Sequence, residues 1–200
     1  MSGLIISLIL FVILVGGTVV LALGGLWRAL LTFFNVLTAA CIATAWYETL
    51  AGFLDRYLAG YTYLLDFLSI WLIFTAVFSL LRAATDWLAP HAIAFPKLVD
   101  LIGGVVVSFI AAWVLMSFTA ATLHTAPVPR NVIQPTPESR MFLGFAPDRK
   151  WLAWVRNSSL SGPFSRGTPH VFDEKGDFIL RYADRRLKLE QSEGLRVSAK

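Results

Sequence analysis

The chain has 200 residues, of which 56% are hydrophobic and only 15% are charged. A soluble domain of this size usually carries about a quarter charged residues, so the composition excludes an ordinary soluble protein and predicts a membrane protein. Residues 1–126 hold four basic and five acidic side chains, whereas residues 127–200 hold thirteen and eight. The basic character therefore belongs to the C-terminal part, and the single Cys41 allows no intrachain disulfide.

Four apolar stretches predict membrane-spanning helices. A helix needs about 20 apolar residues to cross the hydrocarbon core of a bilayer, which is roughly 30 Å thick. Residues 4–26 and 101–123 meet this requirement, and residues 29–46 and 64–81 approach it. Arg28 leaves little room between the first two segments, which indicates a tight antiparallel hairpin. The sequence thus predicts an all-α membrane fold with four transmembrane helices in residues 1–124.

An apolar stripe lies between the second and third membrane segments. Its members recur at helical spacing while Asp55 and Arg56 fall outside it. The stripe consists of Leu50, Phe53, Leu54, Tyr57, Leu58 and Tyr61. We predict either an amphipathic helix lying in the headgroup layer or a helical extension of a neighbouring membrane segment.

The C-terminal part is predicted to lie outside the membrane. The Pro-rich stretch at 125–139 is typical of an extended, semi-rigid linker, and residues 140–200 form a small basic tail. Within the tail we expect a helix at 146–160, two short extended pieces around Gly176 at 170–182, and a charged helix at 183–194. The side chains expected to contact the membrane surface are Arg149, Lys150, Trp151 and Trp154.

No pattern of reactive residues indicates catalysis. The three histidines are far apart and have no ligand at metal-binding spacing, and no phosphate-binding or dinucleotide motif occurs. Acids interrupt the basic residues of the tail, which argues against a nucleic-acid partner. We therefore predict a protein that is not an enzyme, with no catalytic, cofactor-binding or metal residues. Its expected partners are the lipid bilayer and either copies of itself or a membrane complex.

Two acids and a stripe of small residues are the candidate site residues. Asp66 and Asp100 lie near the starts of membrane segments, where each serves either as a helix cap or as a functional acid. Small residues let transmembrane helices approach closely. We expect the last membrane helix to pack tightly through Gly103, Gly104, Ser108 and Ala112.

The order of these features resembles the colicin V production protein (CvpA) family of small bacterial inner-membrane proteins. The resemblance covers residues 1–124 and rests on "GGLWRALLTFF" at 24–34, with Gly25 and Arg28, and on "VDLIGGVVVS" at 99–108, with Asp100, Gly103 and Gly104. This chain lacks a second glycine and an acid that often follow the arginine, and Ser108 replaces a common glycine. The tail looks like an extension found in some members.

The resemblance implies a role in envelope homeostasis or in export or production of a peptide toxin. Two hypotheses follow: a homo-oligomeric pore, suggested for the family by structural analogy, or a membrane scaffold that presents its tail to a larger complex. A pore requires Asn35, Thr38 and Ser108 to lie on converging faces, whereas a scaffold does not. The resemblance implies a location in the bacterial inner membrane, and the basic residues of the short loops predict both termini on the non-cytoplasmic side.

Overall fold

The computed structural model describes residues 2–134, 136–161 and 171–191, and these contain helices and no strand. Four long helices form a bundle: α1 (Ser2–Ala22), α2 (Gly25–Asp55), α3 (Thr62–Leu88) and α4 (Lys97–Leu123). Each is long and apolar enough to cross a membrane. The predicted all-α fold with four membrane helices is therefore confirmed, and the protein is a multi-pass membrane protein.

The connection between α1 and α2 is as short as Arg28 predicts, but the packing differs from a simple hairpin. Only Leu23 and Gly24 separate the two helices. Despite this short turn, α1 packs mainly against α4, while α2 packs against both α3 and α4. The chief partner of α1 is therefore the last membrane helix rather than its neighbour in sequence.

The second membrane helix continues well past the predicted segment. It runs for 31 residues to Asp55, and a short 3-10 helix at Ala59–Tyr61 then leads into α3. The structure, which describes all of residues 50–61, shows no separate α-helix over the stripe; the alternative of an extended second segment is correct as far as Asp55, and the rest of the stripe lies in the turn and the 3-10 helix. At 1.5 Å per residue α2 is about 46 Å long, so its length exceeds the hydrocarbon core.

A face of small residues lets the helices of the bundle approach α2. Ala39, Ala40 and Ala43 are fully buried within one hydrophobic cluster. Aromatic rings from the other helices fill the space around them, with Phe74 of α3 stacked on Phe118 of α4 at 4.9 Å between ring centroids. Alanine on one helix and aromatic residues on its neighbours thus form the centre of the fold.

The C-terminal part folds back onto the bundle. It contains α5 (Arg130–Ile133), α6 (Pro147–Ser161) and α7 (Phe178–Gln191). The helix predicted at 146–160 is present as α6. The stretch at 125–139 is not uniformly extended, because it includes α5 and buries Ile133 and Gln134. Its role as a boundary between domains stays a prediction.

The prediction of extended pieces at 170–182 is wrong for the residues that the structure describes. The chain turns at 172–175, and α7 begins at Phe178, earlier than the predicted start at 183. The Asp173 carboxylate accepts hydrogen bonds from the N–H groups of Asp177 and Phe178, which supplies an acceptor for the helix start. Residue 170 and residues 192–194 lie outside the described residues.

Candidate functional site

Asp100 joins the start of α4 to the start of α2. Its Oδ1 accepts a hydrogen bond from the Leu26 N–H at 2.9 Å. At the start of its own helix, Pro96 is the N-cap residue and makes no side-chain cap. Asp100 therefore caps a helix other than the one that carries it, which corrects the expectation of a local cap. A carboxylate in this position satisfies a free N–H and faces the positive end of the α2 dipole.

Two glycines allow this contact. Gly25 has φ +76°, and a Cβ built on it would lie 3.1 Å from both carboxylate oxygens of Asp100. A Cβ on Gly104 would lie 3.2 Å from the backbone nitrogen of Leu26. Any side chain at either position would press on the atoms that form the hydrogen bond.

The predicted small residues of α4 contact two helices, α2 and α1. Gly103 faces the side chain of Leu26. Gly104 faces the backbone of Gly25 and Leu26 at the start of α2. One helical turn further on, Ser108 is fully buried. Ala112 lies against Gly17 of α1, where a Cβ on the glycine would be 3.2 Å from the alanine Cβ. The stripe thus contacts the first two helices of the same chain.

Asp66 belongs to a polar cluster at the opposite end of the bundle. It lies in the second turn of α3 and is buried, so it does not cap the helix start. Its Oδ2 accepts a hydrogen bond from the Tyr182 hydroxyl at 2.8 Å and pairs with Arg185. The Tyr182 and Tyr47 hydroxyls lie 3.2 Å apart. Asp66 therefore links α3 to α7; the predicted cap is wrong, and a functional role for this acid stays a prediction.

The cluster holds Tyr182 in its neutral form. Burial raises the pKa of this phenol above its ordinary value near 10, and the negative charge of Asp66 raises it further. Arg185 also donates to the carbonyl oxygen of Thr62 at 2.9 Å. The neutral hydroxyl and the cation together satisfy the buried carboxylate.

A buried histidine–carboxylate hydrogen bond connects α4 to α6. His124 Nε2 and Asp148 Oδ2 are 2.9 Å apart, and neither side chain is exposed to solvent. Arg186 of α7 donates to the His124 carbonyl oxygen. Sequence reasoning missed this pair, although a histidine at the end of an apolar helix and an acid in the first turn of α6 were both visible. Their separation of 24 positions hid the contact.

The four residues predicted to contact the membrane surface have different environments. Trp151 is only 4% exposed and donates from Nε1 to the Thr44 hydroxyl. The prediction that Trp151 contacts the membrane surface is therefore wrong. Arg149 is half-buried and donates to the carbonyl oxygens of Pro137 and Ser139. Lys150 and Trp154 remain exposed. For Arg149, Lys150 and Trp154 the contact with the membrane surface stays a prediction.

The polar residues that a pore would need do not converge within one chain. Asn35 donates to the Thr85 hydroxyl at 3.1 Å, between α2 and α3. Ser108 is buried in α4, and Thr38 is exposed on the outside of the bundle. Across residues 2–134, 136–161 and 171–191, no group of three or more His, Cys, Asp or Glu side chains could hold a metal ion.

Comparison with known proteins identifies the family. No curated protein and no solved structure matches the chain. A family model described as "Colicin V production protein" matches residues 6–169. The match extends beyond the region 1–124 that carried the resemblance and includes α5 and α6. The match covers most of the bundle and the first part of the tail, so the chain belongs to the colicin V production protein family.

Proposed function

We propose that the protein is an inner-membrane scaffold that supports export or production of a peptide toxin, and with it envelope homeostasis. In this role the four-helix bundle anchors the chain, and the docked tail presents a rigid extramembrane surface to a larger complex. The family membership supports the link to colicin production. The scaffold role is supported by how the tail is held.

The observation that carries this proposal is the set of buried polar contacts between tail and bundle. The buried Asp66 pairs with the partly buried Arg185, and His124 contacts Asp148 where neither side chain is exposed. Removing Arg185 leaves the buried carboxylate of Asp66 without its cation, and the loss of one partner of a buried ion pair typically costs about 3–5 kcal/mol. Trp151 adds a large apolar contact with Phe118. A tail held in this way has one orientation on the bundle, as a docking surface requires.

A homo-oligomeric pore is the second candidate, and one observation favours it. Thr38 of α2 and Thr75 and Ser79 of α3 are exposed on the outside of the bundle. Thr75 and Ser79 are four residues apart and share a helix face. If several copies assembled around these faces, their hydroxyl groups would line the centre of the assembly.

Two sets of variants distinguish the candidates in cells that make the toxin. Arg185→Gln weakens the tail contact, whereas Thr38→Val with Thr75→Val and Ser79→Ala removes the exposed hydroxyl groups. The scaffold predicts that only Arg185→Gln lowers toxin export at equal protein level in the membrane. It also predicts that the purified protein adds no ion flux to liposomes. Ion flux that disappears in the triple variant would replace the scaffold by the pore.

A further inference from the structure

A polar trough lies between the C-terminal end of α2, the first turns of α3, and α7. Its volume is about 240 Å³. Ala51, Gly52 and Leu65 supply its apolar part, and the remaining lining side chains are polar or charged. These are Glu48, Asp55, Thr62, Asp66, Arg181, Tyr182 and Arg185. The trough therefore combines a short apolar floor with charged groups around it.

The charges in the trough do not cancel. Three of its side chains are acids and two are arginines, so the lining carries a net charge of −1. Arg185 pairs with Asp66, and Arg181 pairs with Glu48 at 3.1 Å. Among the described residues Asp55 has no cationic partner and accepts only the Thr62 hydroxyl, at 2.6 Å. Asp55 is thus the uncompensated charge.

The spacing of the acids limits what can bind. Glu48 and Asp55 are seven residues apart on α2, which places them on one face about 10 Å apart along the helix axis. A single metal ion cannot be chelated by carboxylates at that separation. An anion is disfavoured because both arginines already have carboxylate partners and the net charge is negative. An elongated organic cation can span the distance between the two acids, and its charge complements the negative net charge of the lining.

We propose that this trough binds a primary alkylammonium group, with the ammonium at Asp55 and the alkyl chain over Ala51 and Gly52. Glu48, which is partly exposed at the other end, accepts a second polar or cationic group. The same chemistry occurs in free polyamines and in lysine side chains of a peptide. The proposal goes beyond the scaffold role and does not depend on it.

Gly52 provides a sharp test of this site. It lines the trough, and a Cβ built on it meets no atom within 4 Å. Gly52→Leu therefore adds apolar bulk at the trough from a Cβ position that meets no neighbour, and Gly52→Ala is the matched control that adds only the Cβ. Asp55→Asn removes the uncompensated charge, and Glu174→Gln removes an exposed acid elsewhere.

The experiment is calorimetric titration of the full-length protein in neutral detergent at low salt. The probes are 1,5-diaminopentane, a short peptide with one lysine, and 1,5-pentanediol as the uncharged analogue. We expect the parent, Gly52→Ala and Glu174→Gln to bind an amine. Gly52→Leu and Asp55→Asn should each weaken binding about tenfold or more, equivalent to about 1.4 kcal/mol. Thermal unfolding of each variant verifies that it is folded.

The two amine probes identify the source of the ammonium group. Binding of the diamine alone supports a polyamine ligand, and binding of the lysine peptide alone supports a peptide ligand. Absence of binding by both amines in the parent would overturn the proposal. So would equal affinity for pentanediol, or amine affinity in Gly52→Leu that matches Gly52→Ala.

Discussion

Replacing Gly104 by isoleucine perturbs the closest approach between α4 and the α1–α2 turn. A Cβ at this position lies 3.2 Å from the Leu26 backbone nitrogen and 3.4 Å from the Gly25 carbonyl carbon. Both neighbours are backbone atoms, so no side-chain rotation can relieve the contact. The three additional carbons of isoleucine must push the two segments apart.

Two losses add to the cost of this change. Overpacking a close contact typically costs about 1–3 kcal/mol. The displaced backbone also includes the Leu26 N–H that donates to Asp100, and a hydrogen bond to a charged group contributes about 1.5–3 kcal/mol. We therefore expect Gly104→Ile to lower the free energy of unfolding by about 2.5–6 kcal/mol. Gly104→Ala should fall between this variant and the parent.

Val106 provides the matched control on the same helix. It is 52% exposed on the outside of the bundle, where isoleucine adds one methylene without meeting a neighbour. Val106→Ile should change the free energy of unfolding by about 0.5 kcal/mol or less. Thermal and chemical denaturation in mild detergent, with the mass of the intact assembly, compares the variants. Equal stability of Gly104→Ile and Val106→Ile would refute the close approach inferred for Gly104.

The remaining predictions concern the acid at the turn, the tail and the orientation. Asp100→Ala should lower the free energy of unfolding by about 1.5–3 kcal/mol, and Asp100→Asn by less because it keeps an acceptor; equal losses would argue against capping. Trp151→Ala should cost about 3–5 kcal/mol in chemical denaturation because the ring is buried, and Trp154→Ala, whose residue is 43% exposed, should cost less; the reverse order would contradict the docked tail. The raised pKa of Tyr182 means that its contribution to stability is present below pH 10 and is lost as the pH rises above this ordinary value, because the unfolded phenol ionises first. As the pH is raised through 10, the melting temperature of Tyr182→Phe should fall less steeply than that of the parent. An equally steep fall in the variant would exclude Tyr182 as the cause. A reporter that is active only in the cytoplasm should be inactive when fused after Lys200, because both termini are predicted on the non-cytoplasmic side. An active reporter would contradict that orientation.

The primary structure alone determined the membrane class and the approximate positions of the helices. These properties depend on local composition, because a segment inserts when about 20 consecutive residues are apolar. The motif residues Gly25, Asp100, Gly103 and Gly104 were also recognisable as a group. Two alternatives stayed open at 50–61 and the prediction was wrong at 170–182, because a short apolar pattern is compatible with more than one local structure. At Phe178, a cap from Asp173 favoured helix over the extended alternative.

The tertiary structure decided what each polar residue contacts. Asp100 reaches Leu26 across 74 positions, and Asp66 reaches Arg185 across 119. Periodicity along one helix identifies the face on which such an acid lies, but it carries no information on which helix packs against that face. That choice depends on the packing of all the helices together, and buried polar groups must find their partners within the arrangement that results. The sequence therefore identified Asp66 and Asp100 as candidates, and only the folded bundle assigned one to the tail and the other to the α1–α2 turn.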